Sequence, residues 1–286
     1  MSDSMIQEAA IFRDIAAGDA PAGEALARAV GWPHRAEDFA MVIALGHGLV
    51  ATMAGETVAV GMWWPYGEKH ATLGQIIVSP AHQGGGLGRR LMQGLLAQAG
   101  DRSVMLNATA AGQPLYEKLG FVPCGGISQH HGEVLAMPAH LPGAGATLRP
   151  ASAFDMIELE RLDRAASGLP RRALLASLLE RGEGAVLERD GRAVGFSMMR
   201  RFGRGWLVGP VVAESDADAR ILVAHWLQGR SGQFMRVDTG TGTPLADWLT
   251  SHGLMPVSSV VTMVRGRWPQ VEGPPRIYAP ASQALG

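Results

Sequence analysis

The chain has 286 residues, enough for about two domains, and its 25 basic and 26 acidic residues leave a formal charge of −1. This balance argues against a nucleic-acid-binding surface, which needs clustered positive charge. A single cysteine, Cys124, excludes an intrachain disulfide and a cysteine-based zinc cage. The nine histidines include no H-x-x-x-H or H-E-x-x-H pair, so no metal site is predicted.

The sequence shows neither a secretion signal nor a membrane-spanning segment. The opening residues MSDSMIQEAAIFRD contain neither the basic nor the apolar segment of a secretion signal. The longest apolar stretch, 39–54, is interrupted by Gly46-His47-Gly48 and is too short for a membrane span. We therefore expect a cytoplasmic protein that binds neither membrane nor nucleic acid.

Hydrophobic periodicity in the first half predicts a strand, two helices, three strands, a helix, a strand, a short helix and a last strand. These elements are predicted at 8–13, 21–30, 35–44, 49–53, 57–65, 71–79, 86–98, 104–108, 113–119 and 127–135. This order predicts an α+β fold in which helices flank a mixed central sheet.

The second half repeats the same order of elements. They are predicted at 147–149, 154–165, 171–180, 185–189, 193–200, 206–212, 218–228, 234–238, 244–252 and 257–264. Matching glycines, Gly61 and Gly195, each precede a valine, Val78 and Val212, by 17 residues. We interpret the chain as two copies of one unit, while two unrelated α+β domains remain the alternative.

Turn-forming and small residues at 141–146 separate the two halves and predict a domain boundary. We expect a first domain over 1–140, a second over 147–267, and a Pro-rich tail over 268–286. Because the tail has no periodicity, we expect it to lie on the surface or to be mobile.

The sequence VSPAHQGGGLGRR follows a predicted strand and begins a predicted helix. Glycines at such a turn let the unpaired backbone N–H groups of the helix start converge on an anion, which the helix dipole also favours. Arg89 and Arg90 lie in the first turn, where their charge opposes the dipole unless an outside anion compensates it. The segment therefore predicts a phosphate-binding loop.

The spacing of the loop separates several classes of phosphate site. No lysine follows the glycines as a P-loop requires, and Leu91 stands where a dinucleotide fingerprint requires glycine. The string 82–86 is faintly similar to a lipase oxyanion loop, but the chain contains no G-x-S-x-G elbow. The pattern Gln83-x-x-Gly86-x-Gly88 remains, after a strand that ends at Val78.

This pattern resembles the acyl-CoA pyrophosphate loop of the GNAT N-acetyltransferase superfamily. A second segment, 114–121 (PLYEKLGF), resembles the helix signature of the same family that ends in Leu-Gly-Phe. The resemblance covers about residues 8–136. The tandem layout further resembles the YitH/HolE-like acetyltransferases.

The resemblance implies two tandem acyl-CoA N-acyltransferase folds and a cofactor, acetyl-CoA, attacked directly by an amine, with no metal. In the family the pantetheine arm lies between two splayed strands, here near Ile76, Ile77 and Val78. The implied pyrophosphate contacts are Gln83, Gly84, Gly85, Gly86, Leu87, Gly88 and Arg89. A backbone N–H near Val78 would stabilise the oxyanion.

Two further residues receive roles only through the resemblance. Tyr116 stands at the position of the family's tyrosine, whose hydroxyl protonates the leaving CoA thiolate; the alternative is a packed tyrosine with a satisfied hydroxyl. Asn107 either bonds a pantetheine amide or caps a turn.

The general base is not fixed by the sequence. Glu68 and His70, at the start of the strand predicted at 71–79, are the favoured candidates, and His130 and His131 are alternatives. For each of them taken alone, the sequence favours a surface residue over the base. Three aromatic residues are candidates to line the acceptor site, although adjacent residues of a strand face opposite sides: Trp63, Trp64 and Tyr66.

The second copy lacks the residues that carry this chemistry. Its matching loop, VAESDAD over 212–218, has carboxylates in place of glycines, and these complement a helix start while repelling a pyrophosphate. Leu249 stands where the first copy has Tyr116. We expect a degenerate copy that binds no CoA. The alternative that this copy has a small-ligand site of its own remains, and its candidate residues are Arg200, Arg201, Arg204, Asp238 and Thr239.

The sequence thus predicts an N-acetyltransferase that moves acetyl from acetyl-CoA to a primary amine of a small molecule. The alternatives are a non-catalytic acyl-CoA-binding sensor or regulatory module and a tandem fold that binds no CoA. A homodimer is compatible with the sequence, which does not name the acceptor.

Overall fold

A computed structural model describes residues 10–136, 142–143 and 145–286. The chain divides into two compact units, one formed by Met1–Trp64 and Leu73–Asp101, the other by Pro65–Thr72 and Arg102–Gly286. The segment 141–146, in which residues 141 and 144 lie outside the described residues, falls within the second unit. The compact units therefore do not divide where the two sequence copies meet.

Helices and strands follow the predicted order. The helices in the described part of the chain are α1 Ala20–Ala29, α2 Ala36–Leu45, α3 Leu87–Ala99, α4 Gln113–Lys118, α5 Met156–Ser167, α6 Arg172–Arg181, α7 Asp216–Leu227 and α8 Pro244–Ser251. The strands are β1 Ile11–Asp14, β2 His47–Met53, β3 Glu56–Tyr66, β4 His70–Val78, β5 Ser103–Ala108, β6 Val122–Glu133, β7 Ala146–Pro150, β8 Gly182–Arg189, β9 Arg192–Phe202, β10 Gly205–Ala213, β11 Phe234–Gly240, β12 Met255–Arg265 and β13 Arg276–Ala279. This is the predicted α+β fold, a mixed sheet flanked by helices.

The first unit packs α3 against strands in the order β1-β2-β3-β4. Leu91 and Leu95 recur on one face of α3 and are fully buried, and each such side chain contributes about 1.5–3 kcal/mol through burial. Gly61 in β3 makes room for them, since a Cβ there would lie 2.7 Å from Leu95 Cδ1. This packing fixes the position of α3 relative to the end of β4.

Strands of the two copies alternate in the second unit. The order is β5-β12-β6-β11-β10-β9-β8-β7, and β13 pairs with β10. The last strand of the second copy, β12, lies between β5 and β6, and the last strand of the first copy, β6, lies between β12 and β11. The two copies have exchanged their last strands, and all of these pairings are antiparallel.

The C-terminal segment is not the surface or mobile tail that the sequence predicts. Residues 276–279 form β13, antiparallel to β10, and Ala279, Ala281 and Leu285 are buried. A strand of four residues between prolines is too short to show a period of two. No helix of the described chain is both long enough and apolar enough to cross a membrane.

Candidate active site

The predicted phosphate-binding loop lies in the first unit between the end of β4 and the start of α3. A single 3-10 turn, Pro80–His82, follows the strand. The side chain of Gln83 then turns back, and its Nε2 donates to the carbonyl oxygen of Val78 at 3.0 Å. Gly84 and Gly86 have φ of +80° and +81°, a left-handed backbone that glycine adopts without strain. The glycines therefore set the path of the loop.

The N-terminus of α3 is open. No side chain caps the helix at Gly86, and the first helical hydrogen bond runs from Arg90 N to Gly86 O at 3.1 Å. The three preceding N–H groups have no helical partner. A Cβ at Gly84, Gly85 or Gly86 would meet no atom within 4 Å. This cradle of unpaired donors at a helix start fits a diphosphate.

The two arginines of the first turn differ in their contacts. The guanidinium of Arg90 lies 5.0 Å from the ring centroid of Phe12, and its Nη2 donates to Ala10 O at 3.4 Å. Arg89 is exposed, whereas Leu87 between the glycines is buried and anchors the helix. Of the two arginines, Arg89 is thus the one positioned to meet an anion from solvent.

Strand β4 leads into this loop and carries a residue that sequence reasoning missed. Ile76 and Val78 are half-buried, Ile77 between them is buried, and Gln75 has φ of +55°. Gln75 is only 8% exposed, and its Oε1 has no hydrogen-bond partner among the described residues. A non-glycine residue in this region and an unpaired buried acceptor both cost free energy and often mark functional positions. No sequence signal distinguishes this glutamine.

Tyr116 lies on α4 in the second unit. It is 8% exposed, its ring contacts that of Phe121, and burial raises the pKa of its hydroxyl to about 12. Because the hydroxyl stays protonated at neutral pH, it is able to donate a proton to an incoming partner.

Asn107, at the end of β5, has both ends of its amide engaged. Its Nδ2 donates to Gln283 O at 2.7 Å, and its Oδ1 accepts from Thr262 Oγ1 at 2.7 Å. The side chain therefore ties β5 to β12 and to the C-terminal segment. A role toward pantetheine stays a prediction.

The favoured base candidates differ in exposure. Glu68 is exposed in the turn before β4, and His70 is partly buried at the start of that strand. Burial, together with the charge of Lys69, lowers the pKa of His70. His70 is therefore neutral at pH 7 and able to accept a proton.

The alternative histidines lie on β6. His130 is 2% exposed, with Nδ1 3.1 Å from Leu254 O. The ring of His131 lies 4.9 Å from that of Phe234, and burial together with nearby Arg204 and Arg236 lowers its pKa. His130 is thus a buried residue, whereas His131 is partly exposed with its ring packed against Phe234.

The three aromatic candidates for the acceptor site are buried, each with its polar atom bonded. Trp63 Nε1 donates to Gln98 Oε1 at 3.1 Å, and Trp64 Nε1 donates to Val42 O at 2.9 Å. Tyr66 donates its hydroxyl to Leu285 O at 2.7 Å. These side chains pack in the core of the protein. The expectation that they line an acceptor site is therefore wrong. In the described ranges, no group of three His, Cys, Asp or Glu side chains is arranged to hold a metal ion.

Comparison with known proteins decides the family. Two families described as "Acetyltransferase (GNAT) domain" match the chain, one over residues 44–123 and the other over 159–279. The chain belongs to the GNAT acetyltransferase superfamily. It carries two GNAT domains in tandem, and proteins of this fold use acyl-CoA to modify amine acceptors.

Relatives and solved structures agree with this assignment. The uncharacterized N-acetyltransferase YitH of Bacillus subtilis is 28% identical over 220 residues, covering 75% of this chain and 76% of YitH. A crystal structure from Pyrococcus horikoshii shares the fold with a TM-score of 0.78 at 22% identity, over 100% of this chain and 99% of its own. A tandem GNAT protein from the clavulanic acid biosynthesis pathway has a TM-score of 0.64 at 16% identity, over 91% and 99%.

The second GNAT copy closes its own helix start. Ser215 Oγ accepts from Asp218 N at 3.2 Å, and the buried Asp218 carboxylate pairs with Arg189 at 2.6 Å. Glu214 accepts from Arg192 at 2.8 Å. Leu249, at the position matching Tyr116, is fully buried and has no hydroxyl. Side chains and carboxylates thus occupy the place where the first copy offers open N–H groups.

The polar residues considered for a ligand site in this copy also have contacts. Arg201 lies over Trp206 at 4.2 Å and Arg204 over Phe234 at 5.0 Å, while Arg200 lies over Phe202 at 4.9 Å. The others are engaged by hydrogen bonds, Asp238 by Arg236 and Thr239 by the Tyr278 carbonyl oxygen. These contacts give each residue a packing role.

Proposed function

We propose that the first GNAT copy transfers acetyl from acetyl-CoA to a primary amine of a small molecule by direct attack. The observation that carries this proposal is the difference between the two equivalent helix starts. At α3 no side chain caps the helix and the first turn holds no carboxylate, whereas at α7 the side chain of Ser215 accepts from the backbone N–H of Asp218. One chain therefore binds one acetyl-CoA.

Within the proposed site, Gln83, Gly84, Gly85, Gly86, Leu87, Gly88 and Arg89 hold the pyrophosphate. Their backbone donors and the helix dipole supply the attraction, and Arg89 adds a positive charge. Backbone groups of Ile76, Ile77 and Val78 align the pantetheine arm as an added strand would. Gly84 and Gly86 matter because they adopt a left-handed backbone, and a long acidic side chain at Gly85 would bring negative charge into the space that the phosphates need.

For the transfer itself, the amine nitrogen forms a bond to the acetyl carbon and the carbon–sulfur bond breaks. A backbone N–H near Val78 stabilises the negative charge on the carbonyl oxygen. Tyr116 gives its proton to the sulfur, and His70 accepts the amine proton through water. Glu68 lies exposed in the turn, where it can return that proton to solvent, and water reprotonates Tyr116.

Calorimetric titration with acetyl-CoA tests the proposal, and Gly85→Glu is the sharpest variant. Gly85 has no positive φ and open space around its Cβ, so the glutamate adds charge without backbone strain. We expect one site per chain in the native protein and at least a 100-fold weaker affinity in Gly85→Glu. Gly85→Ala and Gly18→Glu, at a second glycine with open space, should bind as the native protein does.

A screen for amine-dependent release of CoA completes the test. Turnover that requires an amine supports the enzyme. Tight binding without turnover of any amine would support the acyl-CoA sensor instead. Two sites per chain, or unchanged affinity in Gly85→Glu, would contradict the assignment of the loop.

A further inference from the structure

One residue of β4 departs from an ordinary buried strand in both its backbone and its side chain. Gln75 has φ of +55°, outside the range that residues of a β-strand adopt. Its side chain is 8% exposed, and the buried Oε1 has no hydrogen-bond partner among the described residues. Both features destabilise the free protein, so packing alone does not account for a glutamine at this position.

The left-handed backbone of Gln75 is not explained by a turn. Among the described residues, two other non-glycine residues have a positive φ, Ala54 and Asp190. Each stands immediately before a glycine of positive φ, Gly55 or Gly191, in a two-residue connection between adjacent strands. A tight hairpin requires a positive φ at both of these positions. Gln75 lies inside a strand, where no such requirement exists.

Gln75 lies on the strand that leads into the phosphate-binding loop, within the same compact unit. Val78 ends this strand, and its carbonyl oxygen accepts from Gln83 of the loop. A strand rises about 3.3 Å per residue, so Gln75 precedes Val78 by about 10 Å. A ligand that extends from the loop along β4 therefore passes Val78 first and Gln75 last.

The backbone at Gln75 does not continue the regular series of hydrogen-bonding groups at the end of the strand. An added strand bonds to backbone groups of alternate residues, which is how the proposed function aligns the pantetheine arm beside Ile76, Ile77 and Val78. A residue in the left-handed region interrupts this alternation, as it does in a β-bulge. The side-chain Oε1 of Gln75 is itself an amide oxygen and can replace the interrupted acceptor.

The arm of acetyl-CoA supplies the donor that this oxygen lacks. The arm contains two amide groups, each with one N–H, whereas the acetyl group and the sulfur carry no N–H. The amide nearer the sulfur is the one farther from the diphosphate, as Gln75 is the residue farther from the loop. An amide N–H that leaves water without a new partner costs free energy, and so does the unpaired Oε1. A hydrogen bond between them removes both costs.

We propose that Oε1 of Gln75 accepts a hydrogen bond from the amide N–H of the arm nearest the sulfur, and that Gln75 is thereby a positioning residue for the thioester. The inference rests on the proposed function and adds to it a side chain outside both sequence motifs. Because the oxygen is already unpaired in the free protein, binding breaks no internal hydrogen bond. The acceptor that destabilises the free protein is satisfied when the arm binds.

Two ligands that differ in the arm separate the contact at Gln75 from those of the loop. Desulfo-CoA has the diphosphate and both amides, whereas 3′-phosphoadenosine 5′-diphosphate has the diphosphate and no arm. Gln75→Met keeps the length of the side chain and removes the acceptor. In calorimetric titration we expect Gln75→Met to bind desulfo-CoA about tenfold more weakly than the native protein does, because the amide N–H loses its partner. Its affinity for the ligand without an arm should be unchanged.

Gln93→Met is the matched control for this titration. Gln93 is an exposed residue of α3, outside both the loop and β4. This variant should bind both ligands as the native protein does. Native-like affinity of Gln75→Met for desulfo-CoA, or an equal loss of affinity for both ligands, would overturn the inference.

A change in the ligand tests the same contact from the other side. The amide nearest the end of the arm in desulfo-CoA is replaced by an ester, which has nearly the same shape and no N–H. We expect the native protein to bind the amide about tenfold more tightly than the ester, and Gln75→Met to bind the two with equal affinity. A preference for the amide that persists in Gln75→Met would assign the N–H to another acceptor and contradict the proposal.

The free protein provides a readout that depends on no ligand. Gln75→Met keeps the strained backbone and replaces an unpaired buried acceptor by an apolar group. We therefore expect its midpoint of urea denaturation to be equal to or higher than that of the native protein. A clearly lower midpoint would show that Oε1 stabilises the fold itself, and Gln75 would then be a structural residue.

The proposed function and this inference fail differently. If the native protein binds neither acetyl-CoA nor 3′-phosphoadenosine 5′-diphosphate, the assignment of the loop is wrong and the inference falls with it. If Gly85→Glu weakens the binding of both desulfo-CoA and the ligand without an arm while Gln75→Met weakens neither, only the role of Gln75 is wrong.

Discussion

At the scale of single residues, Tyr116 carries the proposed proton donation. Tyr116→Phe removes the hydroxyl and keeps the buried ring, so the packing against Phe121 should persist. We expect kcat to fall about 10²-fold with unchanged acetyl-CoA affinity, since general acid catalysis contributes roughly 10²–10⁴-fold. Steady-state kinetics and calorimetry on the same preparations measure both quantities.

The raised pKa of Tyr116 adds a pH test to this prediction. With a pKa of about 12, the hydroxyl keeps its proton across the range from pH 7 to 10. The rate with a neutral amine should therefore not decline over that range through Tyr116. Full activity of Tyr116→Phe would remove the residue from its proposed role.

We expect Gln75 to affect stability and activity in opposite directions. Gln75→Gly removes both the left-handed strain at φ of +55° and the unpaired buried Oε1. We expect the free energy of unfolding to rise by about 1 kcal/mol. Relief of the backbone strain contributes about 1–3 kcal/mol, and the larger conformational entropy of glycine in the unfolded chain offsets about 0.5–1 kcal/mol of that gain.

Activity should move the other way if Gln75 positions a reacting group. We expect kcat/KM to fall at least tenfold in Gln75→Gly, with urea denaturation and amine kinetics as the measurements. A variant that is both less stable and fully active would identify Gln75 as an ordinary packed residue.

How far the site can be predicted varies from residue to residue. Gln83, Gly86 and Gly88 are recognisable because local spacing dictates a glycine turn at a helix start. The contact of Asn107 with Gln283 joins residues 176 positions apart and leaves no local pattern.

Among the elements, the C-terminal segment depends on a buried ion pair. Arg171, just before α6, donates two hydrogen bonds to Asp163 of α5, at 2.9 and 2.6 Å, and also donates to Gly286 O. Asp163→Asn would leave this buried guanidinium uncompensated. We expect the free energy of unfolding to fall by about 3–5 kcal/mol, as for other broken buried pairs.

Glu180→Gln is the matched control for this prediction. It breaks the exposed pair between Arg181 and Glu180, and exposed pairs contribute about 0–1 kcal/mol. Chemical denaturation followed by circular dichroism measures both variants. Equal stability of Asp163→Asn and Glu180→Gln would show that the buried pair is not a stabilising contact of this segment.

The order of elements was predictable, whereas some of their limits were not. Periodicity located the longer helices because buried apolar residues recur along one face, as Leu91 and Leu95 do in α3. The strand β6 begins at Val122, five residues before its predicted start, because Pro123 and the glycines at 125 and 126 conceal the alternation. The pairing of β13 with β10 depends on tertiary contacts that a four-residue segment does not encode.

Within the whole molecule, the exchanged strands make the two copies one cooperative structure. β6 and β12 pair along most of their lengths, and each also pairs with a strand of the other copy. We expect the amides of β5, β12, β6 and β11 to exchange with deuterium at similar protected rates, because none of these pairings can open in one copy alone.

Hydrogen exchange under mild denaturant measures this, and the edge strand β7 provides an internal comparison because, among the strands that the structure describes, only β8 pairs with it. Two separate exchange classes, β5 with β6 and β11 with β12, would contradict cooperative behaviour. The swapping of the last strands between the two copies could not be predicted from the sequence. The hydrophobic pattern of each copy suits its own last strand and that of the other copy equally well.

The exchanged strands also affect how the nascent chain behaves on the ribosome. Both pairing partners of β6, which ends at Glu133, are made later, β11 from Phe234 and β12 from Met255. At about 5–20 residues per second, β6 emerges with two unpaired edges for on the order of 10 s. During this interval the edges are open to pairing with other chains, so translation that stops early yields an aggregation-prone product rather than a shorter enzyme.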